Sequence, residues 1–532
     1  MGADYEYLIV TDSIMAPAFQ RLANWKTAKG VRAKVLTISE IDSTYSGATS
    51  QIRIKQAIKD YHAGQYNGLE YVLLGGDINI IPTQGTYIKY SSYTEYNAPT
   101  DLFYSCLGSL NWDTNGNGIA GELSDSIQLA PDVIVSRIPI TDIESANVFV
   151  ERIINYETHQ VMNNWQNNIL TCGKKLTNYS IVGNDTISDS QIRGDYLYNN
   201  YIQPYWNGER VRFYDTATDF EGGKDYDLTS QHLQIELEKG YTIVYVNTHG
   251  STITWQMEKE KGYPSYYHSS AMALSESKPM VIITDACNTN AFDYNSICLS
   301  EAFIRNPNAN IISYIGSSRN GWGSSSPKYS QQLFKNILRS DSKQLGSAFY
   351  AMKSYFIGNC NGNNATRWLL FSINMLGDPE MSIYLEKPKY LNMAQISCAN
   401  DSLIIQTGVD SCKICIMSLH DFGESHYHVE ENASTYSCPN LGTDLSICVT
   451  KPGYIPCLTL VCDSGYIQDK TLNGDVRIIA RQTFIGSDVC TNMENGPVTI
   501  QNGKLSIHSP KGVTIKNDFE IALGSELDVN TN

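Results

Sequence analysis

Short apolar runs rich in β-branched residues alternate with amphipathic segments over the first 385 residues of the chain. Such runs predict strands buried on both faces of a sheet, and the segments between them have the 3.6-residue period of helices. We predict strands at 7–10, 33–38, 71–75, 133–140, 168–172, 211–214 and 311–315, and at the two runs that end in His249 and Cys287. We predict helices at 16–28, 51–61, 143–158, 191–201, 229–239, 299–304, 330–338 and 345–355. This alternation predicts an α/β fold with a mainly parallel sheet and helices on both faces.

The pattern of strands and helices restarts near residue 160, which predicts two consecutive α/β subdomains, residues 1–160 and 161–387. Helical periodicity ends after Lys387 and Pro388. Short alternating runs over residues 388–465 predict a small β-sandwich of immunoglobulin-like size. The very short strands of residues 466–532 predict a stacked β-repeat or the edge of a solenoid. Neither tail segment contains a set of catalytic residues, so the chemistry is expected before residue 388.

Two of the predicted strands end in reactive residues. T-I-V-Y-V-N-T-H-G ends in His249 and Gly250, and M-V-I-I-T-D-A-C-N contains Cys287. Parallel strands deliver their carboxyl ends to one edge of a sheet, where α/β proteins bind ligands. A thiolate attacks an acyl carbon, and a nearby histidine sustains that thiolate or protonates the leaving amine. The N–H groups of Gly250 and Cys287 are candidates for an oxyanion hole. The alternative is a buried cysteine with a structural role only.

A second candidate site lies in an Asp/Asn/Gly-rich loop of the first subdomain. Oxygen side chains at the first, third and fifth positions and glycine at the sixth resemble an EF-hand-type calcium loop. The ligands would come from Asp113, Asn115, Asn117, Ile119, Glu122 and Asp125. The match is imperfect, because Glu122 falls at position 10 and Ser124 occupies position 12. The prediction is therefore a calcium-ordered loop, with a surface turn as the alternative.

Trp322, in S-S-R-N-G-W-G, follows the strand after the Cys287 strand. Its aromatic face would suit a flat or cationic side chain, so Trp322 is a candidate wall of a substrate pocket. The alternative is a tryptophan that only fills the core.

Composition narrows the range of partners. The net charge of −16 argues against nucleic acid as a partner, because phosphate binding needs clustered Lys and Arg; it is compatible with cationic substrates or calcium. No apolar stretch approaches the ~20 residues of a membrane span. No signal peptide is visible, and Met1-Gly2-Ala3 directly before a strand is typical of an engineered start on a trimmed chain.

Eight of the 13 cysteines lie between Cys398 and Cys490. The single C-x-x-C at 412–415 lacks a second ligand pair, so structural cysteines or disulfides are predicted there rather than zinc.

Six sequence blocks, in order, resemble the gingipain family of bacterial cysteine peptidases, relatives of caspases and legumain. The resemblance spans most of residues 5–385 and is carried by Y-V-L-L-G-G-D-I-N-I-I-P, P-D-V-I-V-S-R-I-P-I, V-N-T-H-G, T-D-A-C-N, S-S-R-N-G-W and L-G-D-P-E. The segment after residue 385 resembles the Ig-like domain that follows gingipain catalytic domains. The resemblance implies a caspase-like fold and a secreted or surface-exposed endopeptidase that hydrolyses protein or peptide substrates after a basic residue, Arg more than Lys. It also implies an inhibitory prodomain outside this chain.

The same resemblance assigns roles to residues. Cys287 would be the nucleophile, His249 the general acid and base, and Gly250 with Cys287 the oxyanion hole. Asp189, in Ser188-Asp-Ser-Gln191, is similar to the pocket aspartate that pairs with a substrate guanidinium. The alternative is that Asp189 only caps the amino terminus of the helix that begins there.

Two features depart from the family pattern. Lys174 and Lys175 stand where the family has an acidic residue, and the insertion carrying the 113–125 loop is absent from the gingipains.

Two other functions remain open from sequence. A transpeptidase of the same family would use the same Cys/His pair and transfer the acyl group to an amine. A non-enzymatic adhesin would bind glycan or protein through its β-rich tail. The sequence gives no oligomeric state.

Overall fold

The computed structural model describes residues 5–63, 68–158, 164–182, 185–215, 224–257, 265–275, 277–339, 344–391, 395–399, 402–419, 421–439, 444–489, 495–501 and 503–531. Eleven strands form one large sheet. They are β1 (Tyr7–Thr11), β2 (Ala33–Thr37), β3 (Tyr71–Gly75), β4 (Ile134–Ile138), β5 (Asn168–Gly173), β6 (Glu209–Tyr214), β7 (Lys224–Asp227), β8 (Ile243–Asn247), β9 (Met280–Thr284), β10 (Ile311–Ser317) and β11 (Ile373–Gly377).

The strand order is β7-β6-β5-β8-β9-β10-β11-β4-β3-β1-β2. Every neighbouring pair is parallel except β10 and β11, which are antiparallel. Strands β8 and β9 are buried along their whole length, as their unbroken apolar sequences require in a sheet covered on both faces. The mainly parallel α/β fold predicted from the sequence is confirmed.

Within the described part of the chain, twelve α-helices connect these strands or extend their ends. They are α1 (Ala16–Ala28), α2 (Ile38–Thr44), α3 (Ser50–His62), α4 (Leu102–Ser105), α5 (Ile143–Thr158), α6 (Asp189–Leu197), α7 (Ser230–Lys239), α8 (His268–Met272), α9 (Leu299–Arg305), α10 (Ser326–Arg339), α11 (Leu345–Phe356) and α12 (Ala365–Ser372). No helix among the described residues is both long and apolar enough to cross a lipid bilayer.

Strand β11 joins the two halves of the sheet. It runs antiparallel to β10 over five residue pairs and meets β4 at Leu376 and Arg137. One hydrophobic cluster extends from Tyr7 to Tyr384, so both halves of the large sheet share a core.

A buried ion network strengthens this junction. The Lys26 ammonium of α1 lies 3.0 Å from Glu157 Oε1, 2.5 Å from Asp378 Oδ2 and 2.7 Å from Glu380 Oε2. Lys29 reaches Glu157 at 2.8 Å and Glu380 at 2.6 Å. The three carboxylates are close enough to hold a cation, and the Lys26 ammonium fills that role.

Two features of the α/β part of the chain differ from the prediction or were not foreseen. The predicted strand 33–38 ends at Thr37, because Thr37 and Glu40 form a capping box that starts α2. A hairpin of Gln84–Tyr90 and Tyr93–Thr100 is present between β3 and α4. Its exposed, Tyr-rich strands carry little apolar signal.

The chain after residue 388 is all β. Its strands are Lys389–Tyr390, Gln395–Ala399, Ser402–Gln406, Cys412–Ser418, Tyr427–Ala433, Thr435–Pro439, Leu445–Thr450, Tyr454–Ile455, Cys457–Ile467, Lys470–Asn473, Val476–Ile485, Val498–Gln501, Lys504–His508, Val513–Ile515, Phe519–Ile521 and Glu526–Asn530. Pairing from Gln395 to Thr450 is antiparallel, and the strands after Cys457 pair in parallel with one another. Parallel stacking of short strands is the arrangement that a β-repeat requires. Cys412, Cys415, Cys438 and Cys448 are buried free thiols, and Cys398 and Cys490 lie outside the described side chains.

Candidate active site

Strands β8 and β9 bring His249 and Cys287 to the same edge of the sheet. The two strands are parallel neighbours, with Val246 opposite Thr284 near their carboxyl ends. The chain reaches His249 two residues after β8 and Cys287 three residues after β9. The structure therefore brings the two predicted residues to neighbouring loops.

Gly250 lets these loops touch. A Cβ atom at this position would lie 2.7 Å from the Cys287 carbonyl oxygen and 2.9 Å from the Ala286 Cβ atom. Both distances are too short for any side chain, so only glycine allows the His249 loop to lie against the backbone of the cysteine. The sequence signal was the glycine that follows the histidine.

The Cys287 thiol is half-buried and held by the backbone of Gly321, to whose carbonyl Sγ donates at 3.7 Å. The N–H of Gly321 donates to Sγ at 3.1 Å. Burial raises the pKa of the Cys287 thiol above its usual range, and the Gly321 N–H offsets only part of that effect. The isolated thiol is therefore protonated at neutral pH and needs a base to become a nucleophile.

The residue after Cys287 adopts a left-handed conformation. Asn288 has φ +60°, a region that asparagine enters more readily than most residues. Its N–H donates to the Arg319 carbonyl at 3.0 Å, and its side-chain amide donates to Asn320 Oδ1 at 3.2 Å. The sharp turn at Cys287 is thus fixed by the segment that leads to Gly321.

His249 is exposed, and its ring is oriented by a main-chain carbonyl. Nε2 lies 2.8 Å from the carbonyl oxygen of Leu176, in the loop after β5. A carbonyl accepts hydrogen bonds and cannot donate them, so Nε2 carries the proton in the neutral ring. Nδ1 is then the nitrogen that can accept a proton. Sequence reasoning missed Leu176, because a main-chain carbonyl has no signature in the side-chain pattern.

Asp189 is the first residue of α6, and the cap of that helix is Ser188, whose hydroxyl accepts the Gln191 N–H at 3.3 Å. The Asp189 carboxylate instead receives three donors from the loop after β5. They are the N–H of Leu176 at 2.8 Å, the N–H of Thr177 at 3.1 Å and the Thr177 hydroxyl at 2.7 Å. Burial alone would raise the pKa of Asp189, but these bonds and nearby Arg193 hold it below its usual range. The group is therefore a carboxylate at neutral pH.

Arg193, which sequence reasoning also missed, links Asp189 to the Trp322 segment. Its Nη2 atom lies 3.8 Å from Asp189 Oδ2. A Cβ atom on Gly323 would lie 3.4 Å from its Nη1 atom. Asp189, Arg193 and the residues around Trp322 therefore occupy one region beside Cys287. The spacing of Asp189 and Arg193, one helical turn apart, was the signal available in the sequence.

Trp322 follows Gly321 directly and is half-buried. Its ring meets Tyr90, Tyr93 and Trp368 edge-on, with centroid distances of 4.7, 5.4 and 5.4 Å. Tyr90 and Tyr93 lie at the tip of the hairpin from the first half. This hairpin therefore contributes to the region around the candidate nucleophile.

Asp285, two residues before Cys287, anchors the loop that carries Cys287. Its carboxylate accepts the Ser330 hydroxyl at 2.6 Å and the Tyr245 hydroxyl at 2.6 Å. Burial raises the pKa of Asp285. The side chain ties the Cys287 loop to α10 and β8, a supporting role that T-D-A-C alone did not reveal.

In the predicted calcium loop, several side chains converge on Glu122. Its Oε1 atom accepts the Asn115 amide at 2.8 Å, the Asn117 amide at 2.6 Å and the Ser124 hydroxyl at 2.6 Å. These bonds hold the pKa of Glu122 below its usual range. Asp113 accepts the Asn117 N–H at 3.0 Å.

Two further predicted ligands close the loop. Asp125 is buried and accepts the N–H groups of Thr114 at 2.8 Å and Glu122 at 3.0 Å. The N–H of Ile119 donates to Asn117 Oδ1 at 2.8 Å. Asp125 therefore holds the two ends of the loop together, while the other oxygen-bearing side chains gather on its exposed side.

Comparisons with known proteins bear on the family and the fold of the chain. The family described as Peptidase family C25 matches residues 2–384. Among solved structures, the complex of RgpB pro- and mature domains from Porphyromonas gingivalis aligns with a TM-score of 0.66 at 15% identity, over 86% of this chain and 99% of that one. The structure titled as the Arg specific cysteine proteinase gingipain R aligns with a TM-score of 0.66 at 15% identity, over 86% and 98%. Likeness at this identity shows a shared fold. No curated protein matches the chain.

Proposed function

The chain belongs to peptidase family C25, which makes it a cysteine peptidase, and we propose on that premise that Cys287 is its nucleophile and His249 its general acid and base. The observation that carries this proposal is the contact between the two loops at Gly250, where only a hydrogen atom fits against the Cys287 carbonyl. Neighbouring strands β8 and β9 hold both loops at one edge of the sheet.

The proposed reaction has two stages. The Cys287 proton passes to His249 Nδ1 while Sγ bonds to the substrate carbonyl carbon. The peptide C–N bond then breaks, and the imidazolium returns the proton to the leaving amine. Water, deprotonated by His249, hydrolyses the thioester and releases the acid. The N–H groups of Gly250 and Cys287 are the proposed donors to the oxyanion.

We propose that the pocket beside Cys287 accepts a basic side chain, Arg more than Lys, with Asp189 at its base and Trp322 as a wall. The charged state of Asp189 and the short chain of contacts through Arg193 to the Trp322 segment support this. A substrate guanidinium would share the Asp189 carboxylate with Arg193.

Fluorogenic peptides with Arg, Lys, citrulline or Ala before the scissile bond test both proposals. Citrulline has the shape of Arg without its charge. We expect turnover in the order Arg, Lys, citrulline, and loss of turnover in His249→Ala. Equal rates for Arg and citrulline would contradict the pocket, and an active His249→Ala variant would contradict the dyad. Mass spectrometry with an added amine separates hydrolysis from transpeptidation by the product formed.

We also propose that the 113–125 loop binds calcium. The residues fit, because Asp113 Oδ1 and Asn115 Oδ1 both accept the Asn117 N–H, and the amides of Asn115 and Asn117 reach the Glu122 carboxylate. Carboxylate and amide oxygens are calcium ligands. Calcium would order the loop and take no part in the chemistry. We expect calcium at 100 times its Kd to stabilise the wild type by about 2.7 kcal/mol and to leave Glu122→Gln unaffected. Identical thermal unfolding with calcium and with a chelator would contradict the site.

Two proposals rest on the family alone. The first is a secreted or surface location. The second is an inhibitory prodomain, which we propose because the Porphyromonas gingivalis structure is a complex of pro- and mature domains. Cell fractionation with an antibody to the chain tests the first. The second predicts that the full-length product of the gene is latent until it is cleaved.

A further inference from the structure

The loop after β5 connects Asp189 to His249. Leu176 carries both contacts: its carbonyl oxygen lies 2.8 Å from His249 Nε2, and its N–H donates to Asp189 Oδ1 at 2.8 Å. Among the described residues, this carbonyl is the one hydrogen-bond partner of the His249 ring. The position of the carbonyl therefore determines which way the ring faces.

The same loop is tethered at further points. Thr177 gives Asp189 both its N–H and its hydroxyl, and the Asp189 N–H donates to the Asn178 carbonyl at 3.1 Å. On the other side, the Lys175 N–H donates to Asp215 at 3.1 Å. Four consecutive residues, 175–178, are thus held from both flanks, with Asp189 receiving three of the bonds.

Asp189 is itself held on the rigid part of the fold. The next residue, Ser190, donates its hydroxyl to the Asn247 carbonyl at the end of β8. Gly173, at the end of β5, leaves room for this contact, since a Cβ atom there would lie 2.2 Å from the Asn247 carbonyl oxygen. The first turn of α6 is therefore fixed to the strand that leads to His249.

We propose that Asp189 is a positioning residue for His249, acting through the Leu176 carbonyl. This inference rests on the proposed role of His249. The carboxylate holds the 176–177 backbone so that the carbonyl accepts the hydrogen bond from Nε2–H and leaves Nδ1 as the nitrogen that can take the thiol proton. The carbonyl dipole also faces the imidazolium that forms during proton transfer. Asp189 then serves catalysis whatever side chain fills the pocket.

A pocket role and a positioning role predict different kinetics. A residue that only recognises a basic side chain changes KM and selectivity, and leaves the turnover of neutral substrates intact. A positioning residue lowers kcat for every substrate, since a misplacement of about 1 Å costs on the order of 10²-fold in rate.

The experiment compares Asp189→Asn, Thr177→Val and Thr177→Ser on peptides with Arg or norleucine before the scissile bond. Thr177→Val removes one hydrogen bond to the carboxylate, and Thr177→Ser keeps it. We expect Asp189→Asn to lower kcat about 10²-fold on both peptides. We expect Thr177→Val to lower kcat about fivefold with unchanged KM and unchanged Arg preference. Thr177→Ser should recover the wild-type kcat. Thermal unfolding confirms that each variant is folded.

Wild-type kcat in Thr177→Val, or a loss in Asp189→Asn confined to the Arg peptide, would overturn the inference. Thr177→Val keeps the test available if Asp189→Asn does not fold. Failure of the proposed function is distinguishable, because it would appear as an active His249→Ala variant or an inactive wild type. An inactive His249→Ala, with wild-type kcat in Thr177→Val and a loss in Asp189→Asn confined to the Arg peptide, would overturn the positioning role alone.

Discussion

Replacement of Lys26 by methionine perturbs the junction between the two halves of the sheet. The Lys26 ammonium is fully buried and touches Glu157, Asp378 and Glu380. Its removal leaves three buried carboxylates with Lys29 as the remaining cation, and Lys29 contacts only two of them. Asp378 keeps the Tyr7 hydroxyl at 2.7 Å as a donor.

The expected cost is large, because the loss of one partner leaves buried charge uncompensated. Breaking a buried ion pair in this way costs about 3–5 kcal/mol. Lys29→Met is the matched control: Lys29 is slightly exposed, and Lys26 would still contact all three carboxylates. Loss of its charged hydrogen bonds should cost about 1–3 kcal/mol.

The pKa of Glu157 determines how the destabilisation by Lys26→Met changes with pH. Burial alone would raise the pKa of Glu157, but Lys26 and Lys29 lower it to about 2. This stabilisation is fully present above the ordinary glutamate pKa of about 4.3 and disappears as pH falls toward 2. In Lys26→Met the Glu157 carboxylate takes up its proton at higher pH, because one of the two lysines that lower its pKa is gone. The difference in stability from the parent should therefore be greatest near neutral pH and shrink below about pH 5.

Calorimetry and urea unfolding in a Cys287→Ala background, which prevents self-cleavage, measure these differences at pH 7 and pH 4. Equal destabilisation by Lys26→Met and Lys29→Met, or a Lys26→Met effect that grows on acidification, would refute the reasoning.

The remaining predictions concern the active site. Gly250→Ala should lower kcat/KM by about 10²-fold while the circular dichroism spectrum stays unchanged, because its Cβ would displace the Cys287 carbonyl; near wild-type activity would contradict the contact. In His249→Ala, alkylation of Cys287 by iodoacetamide should rise with pH to a midpoint above the ordinary thiol pKa of about 8.5, because burial raises the pKa of Cys287. An alkylation rate that has already reached its plateau at pH 7 would contradict the raised pKa of the Cys287 thiol. Tyr90→Ala should raise KM for Arg peptides, since it removes a ring that supports Trp322. An unchanged KM would show that the hairpin does not contribute to the substrate pocket.

Much of the peptidase fold was predictable, because its strands are continuous apolar runs with reactive residues at their ends. The loops of β8 and β9 were identified in this way. The sequence motifs of the family also have structural reasons in this chain. Arg137, in S-R-I-P-I, donates to the Gly76 carbonyl of the G-G-D turn at 3.0 Å and forms a buried ion pair with Asp101 at 2.8 Å. Two acidic residues of L-G-D-P-E bind Lys26.

Other features depend on tertiary contacts that carry no local signal. The antiparallel β11 was not among the predicted strands, because its position between β10 and β4 depends on the whole sheet. The hairpin over Trp322 has polar, exposed strands without a strong period. The start of helix α2 is encoded in the sequence by the capping box of Thr37 and Glu40, but the prediction extended the strand to residue 38 and did not include this helix. The Leu176 carbonyl is a main-chain group that only a structure can place.

Covalent labelling tests the central claim most directly. An Arg-ending peptidyl ketone warhead, followed by intact mass measurement and peptide mapping, reports which cysteine attacks a substrate-like carbon. Among the cysteines with described side chains, Cys287 and Cys462 are half-buried and the others are buried, so background reaction is restricted. We predict one adduct per chain, located on Cys287, with complete loss of peptide hydrolysis in Cys287→Ala. Hydrolysis that persists in Cys287→Ala, or an adduct on another cysteine that abolishes activity, would contradict the account.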